Sequence, residues 1–326
     1  MKKLCWLSVL LLSLIFSLFW AWNNDGGKLD VLVVAMSKAD PHYQAIENIA
    51  AAWAASRDLR VTVTAPNLPT ALAQQQNIEP LLGRRWDVIC IEPLGAAELS
   101  PLLENARDKG SVIVTLRGSD FRTADCNLEP FSHEEMGERM MRSLAKAMGG
   151  DGSYITLIPS SEDDDVIRTE EAAVRFQKLN YGGMFLADRL VKTNADVARA
   201  RGVVRKDLER YSIDGVLFFT SRDGLGASGH TDADGKKVVS VGMGDPAILK
   251  TVLSEKKVDS VFYWSRENMF LAGLEIGRAA AEGRMPEADG YMSLPIEGYE
   301  TIRRENGGTW VAADIRNTYP GDEKRF

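Results

Sequence analysis

The chain has 326 residues, 45% of them apolar and 26% charged, which is the balance of a globular chain long enough for two domains. That composition excludes a disordered, collagen-like or polytopic membrane protein. Its 39 basic and 46 acidic side chains give a net charge of −7, which argues against a nucleic-acid partner, and three cysteines exclude a disulfide scaffold or a structural zinc site.

Residues 1–27 are a separate object. Lys2 and Lys3 precede residues 4–22, which carry no charge, and residues 23–27 are polar and turn-prone. A basic start before an apolar run is an export signal. The run exceeds the usual ~7–15 residues of such a signal and approaches the roughly 20 that span a bilayer. No position has well-spaced small residues for cleavage, because Phe19, Trp20 and Trp22 crowd Ala21. The expectation is a signal retained as an anchor, with the lysines in the cytoplasm and the indoles at the outer interface. A cleaved signal is the alternative. Either way, the chain from about residue 28 is exported.

From there strands and helices alternate. Residues 31–36 are a continuous apolar run, the mark of a strand buried on both faces. Residues 43–55 carry Ile46, Ile49, Ala50, Trp53 and Ala54 at helical spacing. Strands are predicted at 60–64, 87–91 and 112–116, with helices at 72–83 and 97–109. Residues 117–130 show no period and read as a break, with Cys126 in a loop. Ser132-His133-Glu134-Glu135 is a capping-box pattern that opens a helix to about Met148.

The alternation then restarts. Strands are predicted at 154–158, 183–187, 215–220, 238–242 and 261–264, and helices at 165–179, 195–211, 247–255 and 267–282. Two βα runs imply two doubly wound parallel-sheet lobes with a cleft between them. Cys90, inside the apolar run 88–91, reads as a buried inert thiol; the sequence does not decide whether it pairs with Cys126.

Several segments are candidates for chemistry. Residues 224–229 spell G-x-G-x-x-G after a strand, but residues 230–235 have a turn's composition, so a mobile loop is expected rather than a nucleotide site. A helix starting at Gly226 would support a nucleotide-dependent enzyme. Asp232-Ala233-Asp234-Gly235 lacks the spacing of a calcium loop and reads as a surface turn. The acidic run 162–165 suits a helix N-terminus, or hydrogen bonds to sugar hydroxyls. His42, His133 and His230 are scattered, and none suggests a nucleophile–base pair, so no catalytic residue, cofactor or metal ligand is assigned. Asp40-Pro41-His42-Tyr43 comes directly after the first buried strand, where parallel sheets bind ligands. An aromatic pair and a carboxylate there suit a sugar ring; a plain helix N-terminus is the equal alternative.

The order of elements over residues 29 to 290 resembles the type I periplasmic sugar-binding proteins, the ribose-binding superfamily. VLVVAMSKADPHYQAI is similar to that family's first strand and loop, VIVTLRGSD to its strand ending in TLD or TWDSD, and YWSRENMFLAGLEIGRAA to the autoinducer-2 and rhamnose-binding branch. The resemblance implies a three-segment hinge near residues 129–132, 264–265 and 288–295. It divides the chain into 1–27, an N-terminal lobe of 28–130 plus 265–290, and a C-terminal lobe of 131–264 plus 291–326. It also implies capture of a small sugar or sugar-derived ligand for an ABC permease, or, with the anchor retained, a co-receptor feeding a sensor kinase.

The ligand-binding positions carried over are Asp40, His42, Tyr43, Arg117, Asp120, Asp165, Arg168, Ser221, Arg222, Asp223, Trp264 and Ser265. The branch's pattern is altered at several of them. Met36 stands in the slot of a lysine, with Lys38 nearby, and Arg117 in that of an aspartate, while Val166-Ile167 replace an Asp-Gln pair. Thr220-Ser221-Arg222-Asp223 replaces a Pro-Asp step, and Ser265 an aspartate after Trp264. Fewer carboxylates and two arginines point to an anionic ligand, or to none.

Overall fold

A computed structural model describes residues 28–118, 121–160, 164–285, 291–293, 301–305, 309–312 and 316–318. The expected signal or anchor at 1–27 lies outside the described residues. Among the described residues no helix is long and apolar enough to cross a membrane.

The chain forms two compact units, Met1–Asn127 with Phe270–Met285 and Leu128–Met269 with Pro286–Phe326. In the first, β1 (Asp30–Val34), β2 (Arg60–Thr64), β3 (Val88–Ile91) and β4 (Val112–Leu116) pair in parallel. Their sheet also takes in β5 (Cys126–Glu129) and the antiparallel meander β11 (Tyr291–Ser293), β12 (Thr301–Glu305) and β13 (Thr309–Ala312), in the order β11-β12-β13-β5-β4-β3-β1-β2.

The helices α1 (Tyr43–Ala55), α2 (Ala71–Ile78), α3 (Ala96–Asp108) and the end of α9 (Arg266–Ala281) cover the parallel strands. α1 buries Ile46, Ala50, Trp53 and Ala54, the stripe its spacing predicts. Helix α9 lies unusually near the sheet: a Cβ at Gly277 would come within 2.5 Å of Val88 Cγ1, and one at Gly273 within 2.7 Å of Leu116 Cδ2. Buried Glu275 ties α9 to α1, accepting from Trp53 Nε1 at 3.0 Å and pairing with Arg57 and Arg278.

The second unit holds β6 (Asp151–Ile158), β7 (Gly183–Lys192), β8 (Gly215–Phe218), β9 (Val239–Met243), β10 (Ser260–Tyr263) and β14 (Arg316–Thr318) in the order β14-β10-β9-β8-β6-β7. All pairings are parallel except that of β14. α4 (His133–Met148), α5 (Asp164–Asn180), α6 (Val197–Tyr211), α7 (Ser221–Ala227) and α8 (Lys250–Ser254) connect them. Met136, Met140, Met141 and Leu144 of α4 pack with Phe176, Leu217 and Val241 in one core cluster. Ser132 accepts from Glu135 N, so the predicted cap on α4 forms.

Two expectations are corrected. The break at 117–130 contains strand β5, so Cys126 lies in a strand, not a loop; it and Cys90 are buried and form no disulfide with each other. β5 escapes periodicity because its polar residues face inward: Asn127 Oδ1 accepts from Thr115 Oγ1 at 3.0 Å and from Gly118 N at 2.9 Å. The glycine-rich stretch at 224–229 is not a loop through its length, since Gly224 and Gly226 belong to α7, which ends at Ala227. No helix opens at Gly226. Thr220 caps α7, and Gly226 is bare because a Cβ would lie 2.4 Å from that of Ala200. Residues 232–235 form the expected surface turn, with Asp232 Oδ1 accepting from Asp234 N and Lys236 N.

Candidate functional site

In each unit the parallel strands end on one edge, and the polar residues that come after them collect there. In the first, β4, β3 and β1 are neighbours and lead into Arg117, Glu92 and the 37–42 loop. Arg117 has φ +56°, a strained conformation for a non-glycine residue that costs about 1–3 kcal/mol and concentrates at functional sites. Its Nη1 lies 3.8 Å from Oε1 of buried Glu92. Asp120, another candidate ligand-binding position, is outside the described residues.

In the 37–42 loop, Asp40 Oδ1 accepts from His42 N at 2.8 Å, and His42 occupies the cap position of α1. Asp40, His42 and Tyr43 are all half-buried. Burial, and then the Glu47 carboxylate, push the Tyr43 hydroxyl above its ordinary value. The segment is thus both a helix start and a cluster of half-open polar groups. Glu92 was not among the sequence candidates, although an acid directly after the buried run 88–91 was the available signal.

In the second unit β6, β8, β9 and β10 lead into Asp165, the 220–223 segment, Asp245 and Trp264-Ser265. Asp223 is fully buried, held by Thr193 Oγ1 and, at 2.7 Å, by Thr220 Oγ1. Burial raises its carboxyl above the usual range, while those two hydroxyls lower it. Arg222 beside it is exposed and does not pair with Asp223, whose carboxylate is held by the two threonines. Ser221 Oγ accepts from Asp245 N at 2.8 Å.

Trp264 packs edge-on against Phe131 with ring centroids 5.2 Å apart, and Ser265 Oγ caps α9 by accepting from Asn268 N at 3.1 Å. Asp165 lies in the first turn of α5, 3.5 Å from His133 Nε2, while Arg168 is exposed on the same helix. Of the residues expected from sequence, the structure groups Asp40 with His42 in the first unit, and Ser221 to Asp223 in the second, where Thr220 and Asp245 join them. It adds Glu92, Glu129 and His133.

Two α/β parallel-sheet units gather polar side chains at their strand ends, the place where open parallel sheets bind ligands. Residues 31–285 match the periplasmic binding protein domain family, and the chain belongs to it.

Solved structures share the fold. A sugar ABC transporter protein from Actinomyces odontolyticus superposes with a TM-score of 0.78 at 15% identity, covering 91% of this chain and 97% of that one. An L-rhamnose-bound ABC transporter solute-binding protein from Clostridium phytofermentas gives 0.71 at 12%, over 91% and 98%. LsrB from Clostridium saccharobutylicum in complex with AI-2 gives 0.70 at 14%, over 91% and 99%. No curated protein matches the sequence.

Proposed function

We propose that the chain is an exported solute-binding protein that captures a small sugar or sugar-derived molecule at its polar strand ends and presents it to an ABC permease. The observation that carries this is the alignment of half-open polar groups on the C-terminal strand edge of each sheet, in a chain of this family. A hinge closure on the ligand, read by the membrane partner, is the mechanism this architecture supports.

An anionic sugar derivative is the more specific reading. It is favoured by Arg222, exposed and not tied to Asp223, and by the strained Arg117 at the other unit's edge. A guanidinium fork suits carboxylate or phosphate. The test is a thermal-shift screen of the protein against neutral monosaccharides, sugar acids and sugar phosphates. A true ligand at a hundredfold excess over Kd stabilises by about 2.7 kcal/mol. Stabilisation by sugar acids or phosphates is the expected result. A shift with neutral sugars alone removes the anionic reading, and silence across all three classes removes the sugar reading.

A further inference from the structure

Strand β5 ends on Glu129, α4 begins at His133, and the first turn of α5 carries Asp165. These three residues, distant in sequence, offer one ligand atom each within 4.8 Å of one another. Glu129 is buried, at 7% exposure, and the other two are half-buried, so this is not a spray of surface acids. A carboxylate in the first turn of a helix is ordinary dipole complement, and Asp165 alone would mean nothing.

The imidazole adds orientation. Thr169 Oγ1 donates its one hydrogen to the Asp165 carbonyl at 2.8 Å. It can therefore only accept from His133 Nδ1, 2.9 Å away, which fixes Nδ1 as the protonated nitrogen. Nε2 is left turned toward the carboxylates, 3.5 Å from Asp165 Oδ1.

A metal-ligating histidine is built this way, with its far nitrogen hydrogen-bonded and its near one aimed at the ion. A second proton on Nε2 would also satisfy Asp165, but a proton bridges two atoms and this cluster gathers three. We propose that Glu129, His133 and Asp165 bind a divalent transition-metal ion of the zinc type. One imidazole nitrogen and two carboxylates form the three-ligand set that leaves a fourth position for water or a solute hydroxyl. Calcium, which takes about 6–8 oxygens, is excluded by the donor set. Around an ion with bonds of about 2.1 Å, tetrahedral ligand atoms stand roughly 3.4 Å apart. The His133–Asp165 edge already has that length. The scarcity of cysteine bears only on structural thiolate sites, so it does not oppose this one.

The site needs no sugar, so it is tested apart from the proposed ligand. The full-length chain, stripped with chelator, is titrated with zinc chloride alone by calorimetry. The expected result is one ion per chain with Kd of about 1 µM or tighter. His133→Gln weakens binding at least about 100-fold, and Thr169→Val, which removes no ligand, by about 10-fold to 100-fold. Circular dichroism and unfolding in chelator confirm that each variant folds. Absence of saturable one-to-one uptake by the wild type at 1 mM zinc overturns the proposal. So does zinc affinity that is unchanged in folded His133→Gln. A failed zinc titration leaves the sugar screen untouched, and the reverse holds equally.

Discussion

Helix α5, which carries Asp165 and Thr169, is pinned to β7 by Arg189, which pairs with buried Glu170 and, at 3.7 Å, with exposed Glu171; the loss of the buried pair has a definite expected size. Glu170 is fully buried. Its carboxylate takes a two-pronged contact from Arg189, through Nη2 at 2.7 Å and Nε at 3.0 and 3.1 Å, and has a second partner in Thr156 Oγ1 at 3.2 Å. Arg189 itself is 43% exposed. An exposed pair contributes about 0–1 kcal/mol, whereas stranding a buried charge costs about 3–5 kcal/mol. Glu170 has no exposure of its own, so the second regime governs. Water that already reaches Arg189 enters the gap, which sets the cost near the lower bound, about 3 kcal/mol.

Arg189→Met keeps the aliphatic stem and removes the charge. At about 2–4 °C per kcal/mol, calorimetry should show the second unit melting roughly 6–12 °C lower. The double variant Arg189→Met with Glu170→Leu should recover most of that loss, because a pair replaced together by apolar groups is nearly neutral. A fall of under about 2 °C in the single variant refutes the buried-charge reasoning. A double variant as unstable as the single one assigns the loss to packing and refutes it too.

Gly242→Ala should cost about 1–3 kcal/mol or more, since its Cβ would land 2.0 Å from the Phe218 carbonyl oxygen; an unchanged melting temperature would show that β8 and β9 yield freely. His230 is buried with Nε2 bonded to the Gly226 carbonyl, and burial first, then Arg201 and Arg205, hold its pKa below the ordinary value. The unfolded chain thus takes up the proton first, so stability is full above about pH 6.5 and falls as pH drops below it. Wild type should lose more melting temperature between pH 7.5 and 5.5 than His230→Gln, and equal losses would exclude His230 as the source. If an anionic ligand is found, Arg222→Ala and Arg117→Ala should each weaken it by roughly 2–5 kcal/mol by calorimetry, while Arg60→Ala, at the opposite end of β2, should not. Unchanged affinity in both edge variants removes arginine recognition.

The βα alternation was legible because buried parallel strands are written as continuous apolar runs and their covering helices as stripes. Asp30–Val34 and Tyr43–Ala55 lie almost where periodicity puts them. Strand β5 was hidden because Asn127 and Glu129 are buried polar residues, which a hydrophobic pattern counts as surface. Helix α7 was hidden because its glycines serve close packing rather than a turn, and glycine carries the same letter for both purposes.

The candidate sites were less legible for a related reason. Strand ends can be found from sequence, and they located Arg117, Asp165 and Ser221 through Asp223. What a side chain does there depends on neighbours that the local sequence does not name. Asp223 stands in the segment directly after strand β8, yet Thr193, thirty residues away, draws its carboxylate into the core. Arg222 is released from its neighbour by that same bond. His133 looked like an incidental member of a capping box, and only Thr169 on another helix turns its Nε2 toward Asp165. In each case a threonine hydroxyl decides which charged group is consumed by the fold and which stays open. Thr193, Thr220 and Thr169 therefore set which polar groups of this unit the fold holds as much as the charged residues do. Substitution there should alter ligand or metal affinity without touching a contact atom.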